Sequence, residues 1–244
     1  MRVFVLTGAG LSAESGIKTF RDAPDALWAR YDPMQLATPE AFAADPALVH
    51  RFYGDRRARV QEVAPNAAHV ALARLQAGLR ARGGEAFLCT QNVDDLLERG
   101  GAEPVVHMHG SLLEGRCVRC GAVSAWRGAM DTGSACPVCA VVGGMRPNVV
   151  WFGEMPTHMD AIAAAIAGSD LFVAIGTSGT VYPAAGFVDM AREAGILTME
   201  INLQRSERAG AFDKVVLGAA TATVPMWVEE MLGAMENVGP NKAP

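Results

Sequence analysis

Residues Leu6 to Arg21 read LTGAGLSAESGIKTFR, and this stretch decides the fold. A short apolar run, Val3 to Leu6, leads straight into it. A buried strand therefore feeds a glycine turn, the setting that a phosphate-cradling loop requires. Gly8 permits the tight turn, Gly10 lets backbone approach a pyrophosphate closely, and Ala13 fills the third small position of the dinucleotide fingerprint. The turn led by Ser12 offers free N–H groups to phosphates. A plain strand–helix turn carries the same spacing, so the motif takes its meaning from the rest of the chain. One feature departs from a nicotinamide dehydrogenase, in which a second strand ends in an acid about twenty residues on. Here Thr19-Phe20-Arg21-Asp22 runs into Ala-Pro-Asp with no strand before Asp22.

Working outward, half of the 244 residues are hydrophobic, which suits one large domain or a large and a small one. No run of eighteen apolar residues occurs, so no membrane partner is expected. The chain begins almost at once with a strand, leaving no room for a signal peptide, so a cytoplasmic location is the expectation. The net charge is −5 and no basic run of five or six residues occurs, which argues against nucleic acid as the main partner. A monomer is expected.

Thr38-Pro39 and Asp45-Pro46 read as N-caps with proline at the first helical position. The second of these helices is predicted over 46–63, and Pro65-Asn66 caps a third that stops at Gly83-Gly84. Strands are expected at 86–90, 105–109, 149–152, 171–175 and 196–201. Further helices are expected at 93–98, 159–167, 184–194 and 225–235. Strands alternating with helices imply a parallel sheet covered on both faces, with ligands at the carboxyl ends of its strands. Those ends are polar throughout: Thr7-Gly8-Ala9-Gly10, Thr90-Gln91-Asn92-Val93-Asp94, His109-Gly110-Ser111, Gly176-Thr177-Ser178, and Glu200 with Asn202. Each taken singly reads as a turn; five together form a rim around one crevice.

Cys117-x-x-Cys120 and Cys136-x-x-Cys139 are separated by fifteen residues, a spacing suited to a four-thiolate zinc site. Four protein ligands leave no open position, so such a metal is structural. Cys89, inside a buried strand, reads as a small core residue. Among the histidines, His50 and His69 lie on predicted helices and read as packing or surface residues. His109, at a strand end on the rim, is a candidate general base, because imidazole titrates near neutral pH.

The chain resembles the sirtuins, NAD-dependent protein-lysine deacylases. The resemblance rests on Gly8-Ala9-Gly10-Leu11-Ser12 through Ser15-Gly16-Ile17 and Thr19-Phe20-Arg21, on Thr90-Gln91-Asn92-Val93-Asp94, on His109-Gly110-Ser111 and on the cysteine quartet. It continues through Arg146-Pro147, Val149-Val150-Trp151-Phe152-Gly153-Glu154, Gly176-Thr177-Ser178 and Ile201-Asn202. These segments occur in family order and span nearly the whole chain. The resemblance implies NAD as co-substrate, with its pyrophosphate on Gly8, Ala9, Gly10 and Ser12 and its adenosine side near Gly176, Thr177, Ser178, Asn202 and Ala220. Gln91, Asn92 and Asp94 would hold the nicotinamide ribose and the nicotinamide pocket, under a loop containing Phe20 and Arg21. The acyl-lysine oxygen would attack the ribose as nicotinamide leaves, with His109 as general base and Asn92 and Asp94 as its catalytic companions. Products would be nicotinamide, deacylated lysine and an O-acyl-ADP-ribose. The peptide would lie as a strand along Val149, Phe152, Gly153 and Glu154.

In the desuccinylase-like subgroup a Tyr-x-x-Arg pair lines the acyl pocket. Tyr53 and Arg56 match it, sharing a helix face, and Ala37 matches the small residue that leaves room for a longer acyl group. Both deacetylase and desuccinylase activity are therefore expected, with Arg57 as a substitute donor. The expected architecture is α/β: a doubly wound, Rossmann-like parallel sheet (1–26, 66–112, 146–244) with a smaller inserted domain. That domain combines a helical module and a four-cysteine zinc module (27–65, 113–145). The rival readings are an NAD-dependent oxidoreductase and a non-catalytic zinc-containing interaction module.

Overall fold

The computed structural model describes residues 1–17 and 35–236. Its strands are β1 (Arg2–Thr7), β2 (Glu85–Thr90), β3 (Val105–His107), β4 (Gly110–Cys117), β5 (Val123–Ala125), β6 (Met145–Val149), β7 (Leu171–Ile175), β8 (Leu197–Asn202) and β9 (Lys214–Leu217). Its helices are α1 (Ala9–Ala13), α2 (Pro39–Ala44), α3 (Pro46–Glu62), α4 (Ala67–Arg80), α5 (Leu96–Arg99), α6 (Met159–Ala167), α7 (Phe187–Glu193) and α8 (Ala220–Glu236).

Six strands form one sheet in the order β3-β2-β1-β7-β8-β9, with every pairing parallel. This is the doubly wound arrangement, and its strand order reverses between β1 and β7. Alternation along β1 builds the two layers. Val3 and Val5 join the core under α4 and α8, with Leu72, Leu75 and Trp227. Phe4 and Leu6 join the opposite core under α6 and α7, with Ile162, Ile166 and Phe187. Phe4 stacks between Phe87 and Phe172, ring centroids 5.4 and 5.5 Å away, so an aromatic row crosses three adjacent strands.

A second sheet, β5-β4-β6, is antiparallel. It leads into the cysteine knuckles, and with α3 it encloses a third core of Leu36, Val49, Phe52, Tyr53, Leu112 and Trp151. Arg57 ties α3 to this sheet, donating from Nε to the Leu112 carbonyl (2.7 Å) and from Nη1 to that of Gly128 (3.4 Å). Its Nη2 is buried without a hydrogen-bond partner among the described residues, so of its three nitrogens two are held by backbone carbonyls of the small-sheet side.

The helix starts follow the local signals. Thr38 Oγ1 accepts from Ala41 N (3.0 Å), Asp45 Oδ1 from Leu48 N (2.9 Å), and Asn66 Oδ1 from Ala68 N (2.9 Å). Other boundaries differ from expectation. The strand placed at 149–152 lies at 145–149, because Arg146 folds the following turn back on itself. The helix expected to start at Pro225 starts at Ala220, because the Glu14 carboxylate accepts from Thr221 N and Oγ1 (3.0 and 2.7 Å). The segment 184–194 divides into a 3-10 turn at Ala184–Gly186 and α7. The helix placed at 93–98 is α5, whose Leu96 N–H is taken by Asp94 Oδ1 (3.1 Å).

Candidate active site

The site lies at the switch point. Gly8 N–H donates to the Ile175 carbonyl (2.9 Å) and Gly10 N–H to that of Gly176 (2.8 Å), so the loops after β1 and β7 are sewn together. The fit admits no side chain. A Cβ on Gly8 would stand 2.8 Å from the Gly176 oxygen, and one on Gly10 would stand 2.8 Å from the Gly176 Cα. Gly176 itself has φ +62°, and a Cβ there would sit 2.4 Å from Leu11 N. Such a bare backbone cradle fits the pyrophosphate of a dinucleotide.

Around it the expected rim residues converge. Gln91 Nε2 donates to Thr177 Oγ1 (3.0 Å), and Gln91 N–H to the Thr7 carbonyl (2.9 Å). Asn202 Nδ2 donates to the Thr177 carbonyl (2.8 Å) and to Glu200 Oε1 (3.3 Å), joining the ends of β7 and β8. Ala220 opens α8 shortly beyond, where Glu14 docks. Ser178 Oγ lies 2.7 Å from Thr180 Oγ1. Ala9 starts α1. Phe20 and Arg21 lie outside the described residues.

A buried polar relay supports this wall, and one member of it is a residue that the sequence did not single out. Asn66 N–H donates to His69 Nδ1 (3.1 Å), which leaves the proton on Nε2, 3.2 Å from Ser12 Oγ. Ser12 Oγ also accepts from Asn92 Nδ2 (3.1 Å) and turns its own proton to the Asp94 carboxyl. Burial lowers the His69 pKa to about 4, so the ring is neutral. Burial raises that of Asp94. The signal for His69 was the Asn66-x-x-His69 spacing, which places a side chain at the third helical position facing the cap.

His109 follows β3, with Nδ1 3.1 Å from the Gln91 carbonyl. A carbonyl can only accept, so Nδ1 carries the proton and Nε2 keeps its lone pair. Burial lowers the pKa of the ring, only partly offset by that hydrogen bond. His109 is therefore neutral at physiological pH, with the basic nitrogen unencumbered by this bond.

On the small-sheet side, Tyr53 is buried, and its hydroxyl accepts from Trp151 Nε1 (2.9 Å). Burial pushes the phenol up to about 12, so it remains a neutral donor. The Arg56 guanidinium stands 5.5 Å from the Phe52 ring centroid and faces Tyr53 and Asp94. Ala37 is buried in the same cluster, and its carbonyl accepts from Phe152 N–H (2.9 Å). Val149 ends β6, an edge strand. Phe152 is exposed, and Gly153, at φ +87°, has nothing within 4 Å of the Cβ position. Glu154 is already occupied. It takes two bonds from Arg146 (2.6 and 2.9 Å) and one from Trp151 N–H (2.8 Å), while Arg146 also lies 3.4 Å over the Trp151 ring. The carboxylate therefore brackets the turn, and this bracket also escaped the sequence reading.

The four cysteines meet at the far end of the small sheet. All four Sγ atoms lie within 4.8 Å of one another, with Cys117–Cys139 at 3.7 Å and Cys120–Cys136 at 3.8 Å. A tetrahedron with Zn–S bonds of about 2.3 Å has edges of about 3.8 Å, so the quartet fits one zinc ion. Val138 and Cys139 N–H groups point at Cys136 Sγ (3.4 and 3.5 Å), an arrangement that favours thiolate. Cys89 is buried, and burial lifts its thiol to about 12, so it is inert.

Comparison with known proteins agrees with this geometry. Residues 8–183 match the Sir2 family. The chain is 57% identical over 235 residues to a protein of Caulobacter vibrioides named NAD-dependent protein deacylase, covering 96% of this chain and 98% of that one. It is 49% identical over 237 residues to a protein of the same name from Escherichia coli K12, covering 96% and 84%. Among solved structures, a Sir2 homologue in complex with NAD superposes with a TM-score of 0.86 at 38% identity, covering 96% of this chain and 90% of that one. A mutant Sir2 homologue in complex with ADP-ribose gives 0.87 at 36%, covering 98% and 95%. With residues 8–183 matching the family and the relatives alike over most of both chains, the chain belongs to the Sir2 family.

Proposed function

We propose that this chain removes both acetyl and succinyl groups from protein lysines, with His109 as general base and Arg56 reading the acyl carboxylate. At the coarser level the chain is an NAD-dependent protein deacylase, an enzyme with acylated proteins as substrates, NAD as co-substrate and one zinc ion. Among the described residues no helix is long and apolar enough to cross a membrane.

NAD supplies the electrophilic ribose carbon that receives the acyl oxygen as nicotinamide departs. The cradle of Gly8 and Gly10 against Gly176 would hold its pyrophosphate, and Asn202 would lie on its adenosine side. Gln91, Asn92 and Asp94 would wall the nicotinamide ribose, held by the Ser12–His69 relay. His109 would take the proton of a ribose hydroxyl at Nε2, while Nδ1–H stays on the Gln91 carbonyl, so the ring delivers one defined nitrogen. The observation that carries this reading is that tautomer lock: a neutral imidazole fixed after β3 on the carbonyl of Gln91, whose side chain bonds Thr177 next to the glycine cradle. A peptide would add as a strand to the free edge of β6 near Val149, Phe152 and Gly153. The Glu154 bracket would keep that edge in register.

The acyl reading rests on Tyr53 and Ala37 sharing one cluster, with Arg56 beside its Phe52 and Tyr53. A guanidinium matches a carboxylate at two points, and the Trp151 bond fixes the Tyr53 hydroxyl beside it. The test is turnover of acetyl- and succinyl-lysine peptides of one sequence, with and without NAD. Turnover of both, only with NAD, is expected; failure on succinyl-lysine overturns the acyl reading.

A further inference from the structure

His107 is not used by the reaction as derived above, yet it is held at both ring nitrogens. Nδ1 lies 3.2 Å from the Asn92 carbonyl, and Nε2 lies 2.6 Å from Glu98 Oε1. A carbonyl oxygen accepts only, and so does a carboxylate. A neutral imidazole has one N–H and can satisfy just one of them; both bonds require a second proton. Glu98 is 39% exposed and His107 only 17%, so water supports the anion and the proton belongs on the ring. The two partners bracket the segment 92–98, which carries Asn92 and Asp94.

We propose that His107 is a positioning residue of the NAD site: as an imidazolium it straps segment 92–98 to the end of β3 and so holds Asn92 and Asp94 against Ser12. This rests on the reading that Asn92 and Asp94 wall the nicotinamide ribose.

The surroundings agree. Glu98 of α5 and Asp94 of the preceding segment are the ionisable groups that face the ring. Alongside, β2 presents Thr90, the residue paired with His107, and the loop before α6 presents Thr157, whose hydroxyl donates to the His107 carbonyl (3.0 Å). Beyond these, Asp95 adjoins Asp94, Arg56 faces Asp94, and the neutral His69 lies within the field of Glu98. Burial disfavours the charged ring, but the Glu98 bond and charge outweigh it and raise the pKa above the ordinary histidine value. The charged strap is thus present below that raised value and is lost as pH rises through it. His109 runs the other way, since it must be neutral to act.

Glu98→Gln isolates the effect. The glutamine amide can donate to a neutral Nε2, so both contacts survive without a ring charge. The experiment pairs nitrogen-15 NMR of the His107 ring with calorimetry of NAD binding from neutral to alkaline pH, in wild type and Glu98→Gln. The strap predicts an imidazolium at neutral pH in the wild type. NAD affinity should fall on the order of three- to tenfold as that ring deprotonates, the worth of one net hydrogen bond. In Glu98→Gln the ring should be neutral with the proton on Nδ1, and the alkaline fall in affinity should vanish. A neutral His107 in the wild type at neutral pH, or an affinity flat through its titration, overturns the proposal. Asn92→Ala separates the two levels. If it weakens NAD binding while affinity is flat through the His107 titration, the strap alone fails; if it leaves NAD binding unchanged, the site reading fails and the strap with it.

Discussion

Gly10→Ala should destabilise the protein and weaken its grip on NAD, although alanine is the better helix former. Gly10 lies within α1, so helix propensity by itself would favour the substitution by about 0.5–1 kcal/mol. Against this, the new methyl would stand 2.8 Å from the Gly176 Cα, 2.9 Å from its oxygen and 3.1 Å from its carbonyl carbon. All three are backbone atoms, so no rotamer change relieves the contact, and the loops after β1 and β7 must separate. Overpacking of this kind costs about 1–3 kcal/mol, so after the helix gain of about 0.5–1 kcal/mol the net loss reaches about 2.5 kcal/mol. At about 2–4 °C per kcal/mol for a chain of this size, the melting temperature should fall by up to about 10 °C. The separation opens the cradle itself, so the KM for NAD should rise well beyond what the stability loss implies. Gly54→Ala is the matched control. It lies in α3 with nothing within 4 Å of its Cβ position, so the same chemical change should raise the melting temperature by about 1–4 °C. Thermal scans and NAD saturation curves on both variants provide the assay. A Gly10→Ala protein as stable as the wild type, with an unchanged KM for NAD, would refute the interlocked-loop account.

Arg56→Met should reduce desuccinylation about ten- to a hundredfold while largely sparing deacetylation, since a charge-assisted bond is worth about 1.5–3 kcal/mol; equal losses on both peptides in a kcat/KM comparison would remove Arg56 from acyl recognition. Cys136→Ser should lose stoichiometric zinc by metal analysis and melt at a lower temperature, because the ion closes the far end of the small sheet. His109→Asn should lower kcat by about a hundredfold or more with the fold intact by circular dichroism. In the wild type, burial sets the His109 pKa below the ordinary histidine value. The acid limb of kcat should therefore lie below the pKa of a free histidine, activity falling as pH drops through the lowered value, and a limb displaced upward would point to another base.

What was legible in the sequence was local or periodic. Thr38, Asp45 and Asn66 each cap a helix using donors two or three residues away, and the strand ends carry turn residues whose role depends only on neighbours. The parallel sheet follows from the alternation of apolar runs with helices, and the cysteine quartet from two short knuckles. What was hidden depended on partners distant in the chain. Glu14 caps α8 from 207 residues away, so the start of that helix could not be placed. The Arg146–Glu154 bracket turns what reads as an apolar strand into a tight bend. His69 looked like a packing residue until the fold brought Ser12 to its Nε2. Arg57, beside Arg56 and chemically identical, is separated from it only by helix rotation, which turns it to the Leu112 and Gly128 carbonyls.

In the proposed reaction the acyl group passes to the ADP-ribosyl part of NAD as nicotinamide leaves, with the base held on the Gln91 carbonyl. Mass spectrometry of the products from a succinyl-lysine peptide and NAD tests it most directly. Deacylated peptide, nicotinamide and O-succinyl-ADP-ribose should form in equal amounts, and none should form with His109→Asn. Free succinate released without consumption of NAD, or NADH among the products, would contradict it.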